Sequence, residues 1–205
     1  MNKYLVFFIG LQLDVIGVAL LISIGLGASP FGLFISNLHA LIPIYIGAIS
    51  FSYDTLALLI AKVFTKRRFY YPGLLYGLIF AGFLQLYSFL FSEVDGLGLI
   101  FRILLVVLAI VILDTGKYFL YNGKGPKLST AVLIYALHQR FSISLNYASK
   151  VIVSLLIIIS VMISAFHDEG LFYQLGIVTF VYFIVSGYTL KFLEQHNIFG
   201  ISNKS

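Results

Sequence analysis

Apolar residues occur along most of the chain in runs long enough to cross a lipid bilayer, separated by short polar segments. A membrane-spanning helix needs about 20 mainly apolar residues to cross a hydrocarbon core about 30 Å thick. Six runs meet that length, at residues 4–24, 44–64, 70–91, 97–120, 142–166 and 171–193. The pattern therefore predicts an all-α, polytopic helical membrane protein that forms a single membrane domain over residues 1–205.

Two further apolar segments, residues 31–41 and 127–139, are too short to span. Breaks between helices are expected at the glycine and proline residues that precede them: Gly27, Pro30, Gly125 and Pro126. Proline is a favoured first residue of a helix, because the N–H that it lacks has no partner there. In the first segment Gly32, Ser36 and His39 lie opposite an apolar face, which predicts an amphipathic helix. The pattern leaves open whether the short helices lie in the membrane interface or dip into the bundle.

The basic residues are distributed unevenly about the predicted spans. Twelve of the 13 lysines and arginines fall on one side, and only Arg102 falls on the other. Because positive charge is retained on the cytoplasmic side of short loops, we expect a multi-pass protein of the plasma membrane with both termini, including residues 194–205, in the cytoplasm. The net charge of +5 lies in short loops between apolar runs, so nucleic acid is not an expected partner.

Composition changes the picture mainly by exclusion. The chain is 60% hydrophobic and 10% charged, whereas soluble proteins carry about 25% charged residues. It has no cysteine, so it has neither a disulfide framework nor a thiol nucleophile, and the four histidines show no metal-binding spacing. No nucleophile and base occur at a usable spacing. We therefore expect no enzymatic activity, no cofactor and no metal.

The two halves of the chain, residues 1–91 and 97–193, can be laid over each other. The turn from Gly27 to Pro30 corresponds to Gly123-Lys124-Gly125-Pro126, and Leu38-His39 corresponds to Leu137-His138. Each half contains three predicted spans, and an odd number places the second copy upside down relative to the first, as in many secondary transporters. The sequence therefore predicts an inverted repeat whose two glycine–proline turns lie on opposite faces of the membrane.

A family resemblance is carried by the first half of the chain. Its elements are Gly17-Val18-Ala19-Leu20, Leu26-Gly27-Ala28-Ser29-Pro30-Phe31, Gly47, and a basic loop at Lys66-Arg67-Arg68. Over residues 5–90 these elements resemble the YczE/YyaS/YitT-type bacterial integral membrane proteins. The family's leucine-glycine-x-x-proline element is present, but Gly32 stands where an acidic residue often follows. The resemblance implies a bacterial membrane protein of this architecture and says little about mechanism.

Three carboxylates lie inside the predicted spans, two of them near the middle of a span. Asp14 and Asp54 each fall about ten residues into a span, which places both near the membrane midplane. An aspartate there costs roughly 2.5–3.5 kcal/mol, and no lysine or arginine is predicted at their depth. One interpretation is a proton or cation site, with Gln12 nearby; the other is two protonated carboxyls hydrogen-bonded to neighbouring helices. Asp114, one turn before Lys117, favours an ion pair within its own helix.

The remaining candidates are weaker. His39 and His138 recur at matching positions of the two halves and are candidates for an ion or substrate site. The inner loop residues Gly123, Lys124, Gly125 and Lys127 suit an anion or a lipid head group, or simply form a positively charged cytoplasmic loop. The outer cluster at residues 167–169 suits a weakly bound cation or a solvated acidic turn.

Small residues in the third span, at Gly73, Gly77 and Ala81, predict a packing seam within the bundle or in a homodimer.

These features favour a small-solute or ion-coupled secondary transporter. The alternative is a non-catalytic accessory or scaffold protein that supports another enzyme or transport system, which requires no polar pathway. The expected partners are the lipid bilayer and a small solute or proton, and a homodimer or a partner membrane protein stays open.

Overall fold

The computed structural model describes residues 2–66, 68–123, 125–165 and 176–196. This part of the chain contains eight α-helices and a short 3-10 turn, and no strand. The helices are α1 (Lys3–Ile24), α2 (Pro30–Leu41), α3 (Ile46–Thr65), α4 (Tyr71–Leu90), α5 (Leu99–Asn122), α6 (Ser129–Phe141), α7 (Leu145–Ser164) and α8 (Ile177–His196), with the 3-10 turn at Val94–Gly96.

Five helices of the described ranges are long and apolar enough to cross a membrane: α1, α3, α4 with its 3-10 extension, α5 and α7. The prediction of an all-α polytopic membrane protein is confirmed. The sixth predicted span, residues 171–193, begins outside the described residues, and α8 covers its later part.

α1 is the central helix of the bundle. Within its most apolar 18-residue stretch, about 67% is buried, compared with 22–39% for the corresponding stretches of the other four candidate spans. Its buried side chains, with those of α2, α4 and α5, form the largest apolar cluster. The other long helices keep one face for lipid, because a helix in a bilayer has no need to bury apolar side chains in protein.

The helices follow the order long, short, long, long twice. α1 packs along α5, α4 packs on α1, and α8 packs on α5. The short helices cross over, since α2 packs on α7 and α6 packs on α3. Each short helix is therefore held by a long helix of the other half.

α1 and α5 run antiparallel and in close contact. Gly10 faces Gly116, and Gly17, further along α1, faces Leu113, which comes earlier in α5. At one end of the pair, the Nε–H of Arg102 donates to the carbonyl oxygen of Ile24 over 2.9 Å.

The glycine-rich turns that follow α1 and α5 lie at opposite ends of this pair. Gly25, which ends α1, lies beside Arg102 near the start of α5, while Gly125 lies against Phe7 near the start of α1. Gly25 and Gly27 have φ angles of +68° and +119°, a region that favours glycine.

α2 is buried inside the bundle and is not an amphipathic surface helix. Leu33 and Ile35 are fully buried, but Gly32 and Ser36 on the predicted polar face are buried as well. Of the two placements that the sequence left open, α2 takes the one inside the bundle, because α1, α3 and α7 contact it from several sides, although His39 on the polar face is exposed. The Ser36 hydroxyl donates to the Gly32 carbonyl over 2.8 Å, so its polarity is satisfied within the helix.

α6 differs from its predicted boundaries. It begins at Ser129, whereas the prediction placed the helix start directly after Pro126. α2 does have Pro30 as its first residue, with the Ser29 hydroxyl accepting a hydrogen bond from the Gly32 N–H.

Candidate functional site

Asp14 lies where α1 crosses α5. A Cβ atom at Gly116 would come within 2.9 Å of the Asp14 Cα, so only glycine at this position permits the observed approach of the two helices. The Asp14 side chain is 8% exposed, and its Oδ1 has no hydrogen-bond partner among the described residues. The carboxylate therefore sits at a tight interface with spare capacity to accept a hydrogen bond or a proton.

Lys117 directly follows Gly116, the α5 residue at this crossing. Its ammonium group lies close enough to Asp14 for electrostatic attraction between the two side chains. It also donates a hydrogen bond to the Tyr182 hydroxyl of α8 and lies 4.9 Å from the centroid of that ring. The expectation that Asp14 has no cation at its depth was wrong, because the antiparallel packing of α5 brings Lys117 to it.

Asp114 contributes a third charge to the same region. It is completely buried in α5, and its charge also acts on Asp14. Its predicted ion pair with Lys117 stays a prediction. The α1–α5 crossing thus brings two carboxylates and one ammonium group together.

Asp54 lies at a second interface, between α3, α4 and the start of α6. A Cβ atom at Gly77 would come within 2.9 Å of the Asp54 Oδ2, so this glycine leaves the space that the carboxylate occupies. The hydroxyl of Ser129, the first residue of α6, lies close to Asp54 and donates to the Gly73 carbonyl of α4 over 3.5 Å. Beside it, the Thr130 hydroxyl donates to the Tyr53 hydroxyl over 3.4 Å.

The small residues predicted as a seam in the third span face α3. Gly77 faces Asp54, Gly73 faces Leu58, and the Ala81 carbonyl lies against Gly47. The seam therefore packs inside the bundle, which leaves these residues no role in a homodimer.

Asp14 and Asp54 interact electrostatically, although they lie at different helix interfaces. The charge of Asp14 acts on Asp54, although α5 surrounds the first and α4 and α6 surround the second. Asp14 and Asp54 are 8% and 7% exposed, whereas Asp114 is 0% exposed. All three carboxylates are therefore buried in the described structure.

The Gln12 side chain faces α4 and not the Asp14 carboxylate. The Tyr87 hydroxyl of α4 donates to the Gln12 Oε1 over 2.8 Å. The Gln12 Nε2 is buried without a partner in the described part of the chain. Gln12 therefore belongs to the α1–α4 interface, and nothing in its contacts joins it to the Asp14 carboxylate.

His39 and His138 make the same contact in the two halves. The Nδ1–H of His39 donates to the Ile44 carbonyl over 2.6 Å, and that of His138 donates to the Ile143 carbonyl over 2.5 Å. Each hydrogen bond closes the turn between a short helix and the long helix that follows it. The structure thus gives both histidines a structural contact.

The predicted anion loop lies at the start of α1. Gly123 ends α5 with its N–H donating to the Phe119 carbonyl over 2.9 Å, and Gly125 packs against Phe7. The Lys127 backbone N–H donates to the Tyr70 hydroxyl over 3.3 Å. Lys124 and the outer cluster at residues 167–169 lie outside the described residues.

Sequence reasoning missed Lys117 and Ser129 as neighbours of the carboxylates. For Lys117 a signal was present, because Gly10 and Gly17 on α1 and Gly116 on α5 are small residues that permit close packing. For Ser129 no signal was present in the sequence, because hydropathy does not indicate that α6 packs on α3.

Comparison with known proteins gives one match. A family model described as "Family of unknown function (DUF6198)" matches residues 1–195. No curated protein and no solved structure matches the chain.

Proposed function

Because the chain belongs to DUF6198, a family of unknown function, we propose its function from the geometry of the described helices: a secondary transporter that moves a small solute coupled to protons or another cation. The observation that carries the proposal is the group of ionisable side chains at the α1–α5 crossing: the buried Asp14 and Asp114 and the half-buried Lys117. Ionisable side chains inside a membrane are expensive, and they mark ion and proton pathways in many transporters.

The arrangement of the helices supports an inverted repeat. The same number of residues separates the starts of α3 and α7 at 46 and 145, their ends at 65 and 164, and the two histidines at 39 and 138. The crossed packing of α2 on α7 and α6 on α3 is what a two-fold relation between the halves would produce. In inverted-repeat transporters the binding site lies where the repeats meet, and α1 and α5 are the helices that meet here.

The charges offer a physical route for coupling. When Asp14 is ionised, it attracts Lys117 across the interface between the two halves. A proton on Asp14 removes that attraction and leaves Lys117 held by Tyr182 of α8. Because charge interactions are strong in a low-dielectric interior, proton binding would change the relative stability of two arrangements of the halves.

A second candidate function, a membrane accessory or scaffold protein, is favoured by the tightness of the same interfaces. Gly116 and Gly77 leave no room for even a methyl group beside Asp14 and Asp54. A static bundle has no need to open such interfaces, whereas a transporter must admit water to them in part of its cycle.

Cysteine accessibility distinguishes the two functions without a known substrate, since the chain has no cysteine. Ser50 is fully buried one turn before Asp54, and its hydroxyl has no partner in the described structure, so Ser50→Cys is a mild change. For a transporter we expect Ser50→Cys in proteoliposomes to react with a small impermeant thiol reagent from one membrane face, faster than the equally buried Ser160→Cys on α7. The exposed Ser144→Cys gives the reaction rate of an accessible thiol, which is the upper reference for the comparison. If Ser50→Cys reacts no faster than Ser160→Cys, the transporter is refuted and the scaffold is favoured.

Proton coupling is tested by Asp14→Asn and Asp54→Asn in the same background. The amide is nearly isosteric and removes only titration, so both variants should fold and insert. If the carboxylates couple, the ratio of the Ser50→Cys rate to the rate of the exposed Ser144→Cys should change with pH, since the ratio removes the pH dependence of thiol ionisation itself, and the Asn variants should lose that change. If they are structural, the Asn variants should behave like the parent, while Asp→Leu at either position destabilises the bundle by leaving polar partners unsatisfied.

A further inference from the structure

An open cleft of about 290 Å³ lies where the start of α1, the start of α4 and the turn after α5 meet. It is lined by Lys3, Tyr4, Tyr70, Pro72, Tyr76, Gly125 and Pro126. None of these residues contacts Asp14 or Asp54 in the interfaces above, so the cleft is a separate feature. It lies on the side of the bundle that the positive charges predict to be cytoplasmic.

The polar groups of the cleft suit an anion. The Lys3 ammonium group lies 5.0 Å from the centroid of the Tyr4 ring, which places a positive charge at the rim. The Tyr70 oxygen accepts the Lys127 backbone N–H, so the Tyr70 O–H proton is available to a ligand. One ammonium group and three phenols line the cleft, and none of the lining residues is acidic.

The turn after α5 forms a wall of main chain. A side chain at Gly125 would come within 2.8 Å of the Phe7 Cβ and 3.3 Å of the Lys3 carbonyl oxygen. The turn is therefore fixed against α1, and the shape of the cleft does not depend on a flexible side chain there.

Outside the cleft, further along α1 and α4, apolar side chains lie on the surface of the bundle. Phe8, one turn after Tyr4, is 47% exposed, and its ring lies 6.3 Å from that of Phe83 on α4. Tyr76, which lines the cleft, packs edge-on against Phe7 at 4.6 Å. A small inorganic anion would use only the cleft, whereas a lipid would use both the cleft and this apolar surface.

We propose that this cleft binds an anionic phospholipid, with the head-group phosphate between Lys3 and Tyr70 and an acyl chain along Phe8 and Phe83. Phosphate oxygens accept hydrogen bonds from ammonium and phenol groups and give short, strong charge-assisted contacts. Anionic lipids are concentrated in the cytoplasmic leaflet, where basic residues near the membrane surface attract them.

The test compares binding of phosphatidylglycerol and phosphatidylcholine to the purified full-length protein in detergent by native mass spectrometry. The parent should bind phosphatidylglycerol more tightly. Lys3→Gln combined with Tyr70→Phe should weaken phosphatidylglycerol binding by about 30-fold or more, because it removes one charged and one neutral hydrogen bond. The matched control is Lys150→Gln combined with Tyr147→Phe on α7, where both residues are exposed away from the cleft, and it should bind as the parent does.

Three results would overturn the proposal: equal binding of the two lipids, unchanged phosphatidylglycerol binding in the cleft variant, or an equal loss in the control. Inorganic phosphate at millimolar concentration should not displace the lipid, and displacement would identify a free phosphate site instead. If the double variant melts early in detergent without added lipid, Tyr70→Phe alone decides, since it removes a single hydroxyl. Parent-like binding of phosphatidylglycerol by Tyr70→Phe would then refute the proposal.

Discussion

Replacing Gly116 by alanine should destabilise the bundle, even though alanine is the better helix former. The new Cβ would lie 2.8 Å from the Gly10 carbonyl oxygen and 2.9 Å from the Asp14 Cα, compared with ordinary contacts of 3.4–4 Å. Both neighbours are main-chain atoms of α1, so neither can rotate away. The axes of α1 and α5 would have to separate by about 0.5–1 Å at their crossing.

The size of the effect follows from two opposing contributions. Added volume in a well-packed interface costs about 1–3 kcal/mol, and exchanging glycine for alanine in a helix returns up to about 1 kcal/mol. The net cost is about 1–2 kcal/mol for Gly116→Ala. At Gly82 on α4 a new Cβ atom would have no neighbour within 4 Å, so Gly82→Ala should be neutral or stabilising by up to about 1 kcal/mol.

The measurement is unfolding of the purified protein in mixed micelles as the fraction of sodium dodecyl sulfate rises. Helix content is followed by far-ultraviolet circular dichroism, because the chain has no tryptophan for fluorescence. Gly116→Ala should unfold at a lower detergent fraction than the parent, and Gly82→Ala at the same or a higher fraction. Equal midpoints for the two variants would refute the close contact of α1 and α5.

Three shorter predictions use the same protein. His39→Ala and His138→Ala should each lower the free energy of unfolding by about 0.5–1.5 kcal/mol, measured by the same titration, and a clear difference between them would contradict their equivalence. Arg102→Ala should cost about 1.5–3 kcal/mol, because it removes charged hydrogen bonds to the last turn of α1, and an unchanged midpoint would show that these bonds are not made. In intact cells Asp95→Cys should react with an impermeant thiol reagent and Arg68→Cys should not; the reverse labelling would overturn the predicted topology.

The sequence predicted the long helices well because bilayer thickness constrains them. The predicted span 44–64 corresponds to Ile46–Thr65, and 70–91 corresponds to Tyr71–Leu90. Apolar run length determines both ends of such a helix, since unsatisfied backbone groups are excluded from the hydrocarbon region.

The burial of α2 inside the bundle and the position of the charge cluster could not be predicted in the same way. An amphipathic pattern is usually read as one helix face exposed to water. Ser36 is buried, however, because α2 enters the bundle. The contact of Lys117 with Asp14 depends on how α1 and α5 cross, and hydropathy carries no information about crossing. The small residues Gly10, Gly17 and Gly116 indicated a close approach, without indicating which helices meet.

Matching positions of the two halves differ in chemistry although their helices pack alike. On α2 the Asn37 amide donates to the Ser160 carbonyl and the Ser164 hydroxyl of α7, whereas the position matching Asn37 on α6 is Ala136. Likewise Asp54 on α3 matches Val153 on α7.

The packing of a short helix on a long one therefore requires neither the amide nor the carboxylate, since Ala136 and Val153 occupy the equivalent places. A buried polar group lowers stability unless it is fully paired, and Asn37 Oδ1 has no partner among the described residues. Asp54 and Asn37 are thus groups that the architecture tolerates without needing them. Under the proposed transporter, binding of a proton, an ion or a solute would give them a role, and the Asn variant of Asp54 measures whether that role exists.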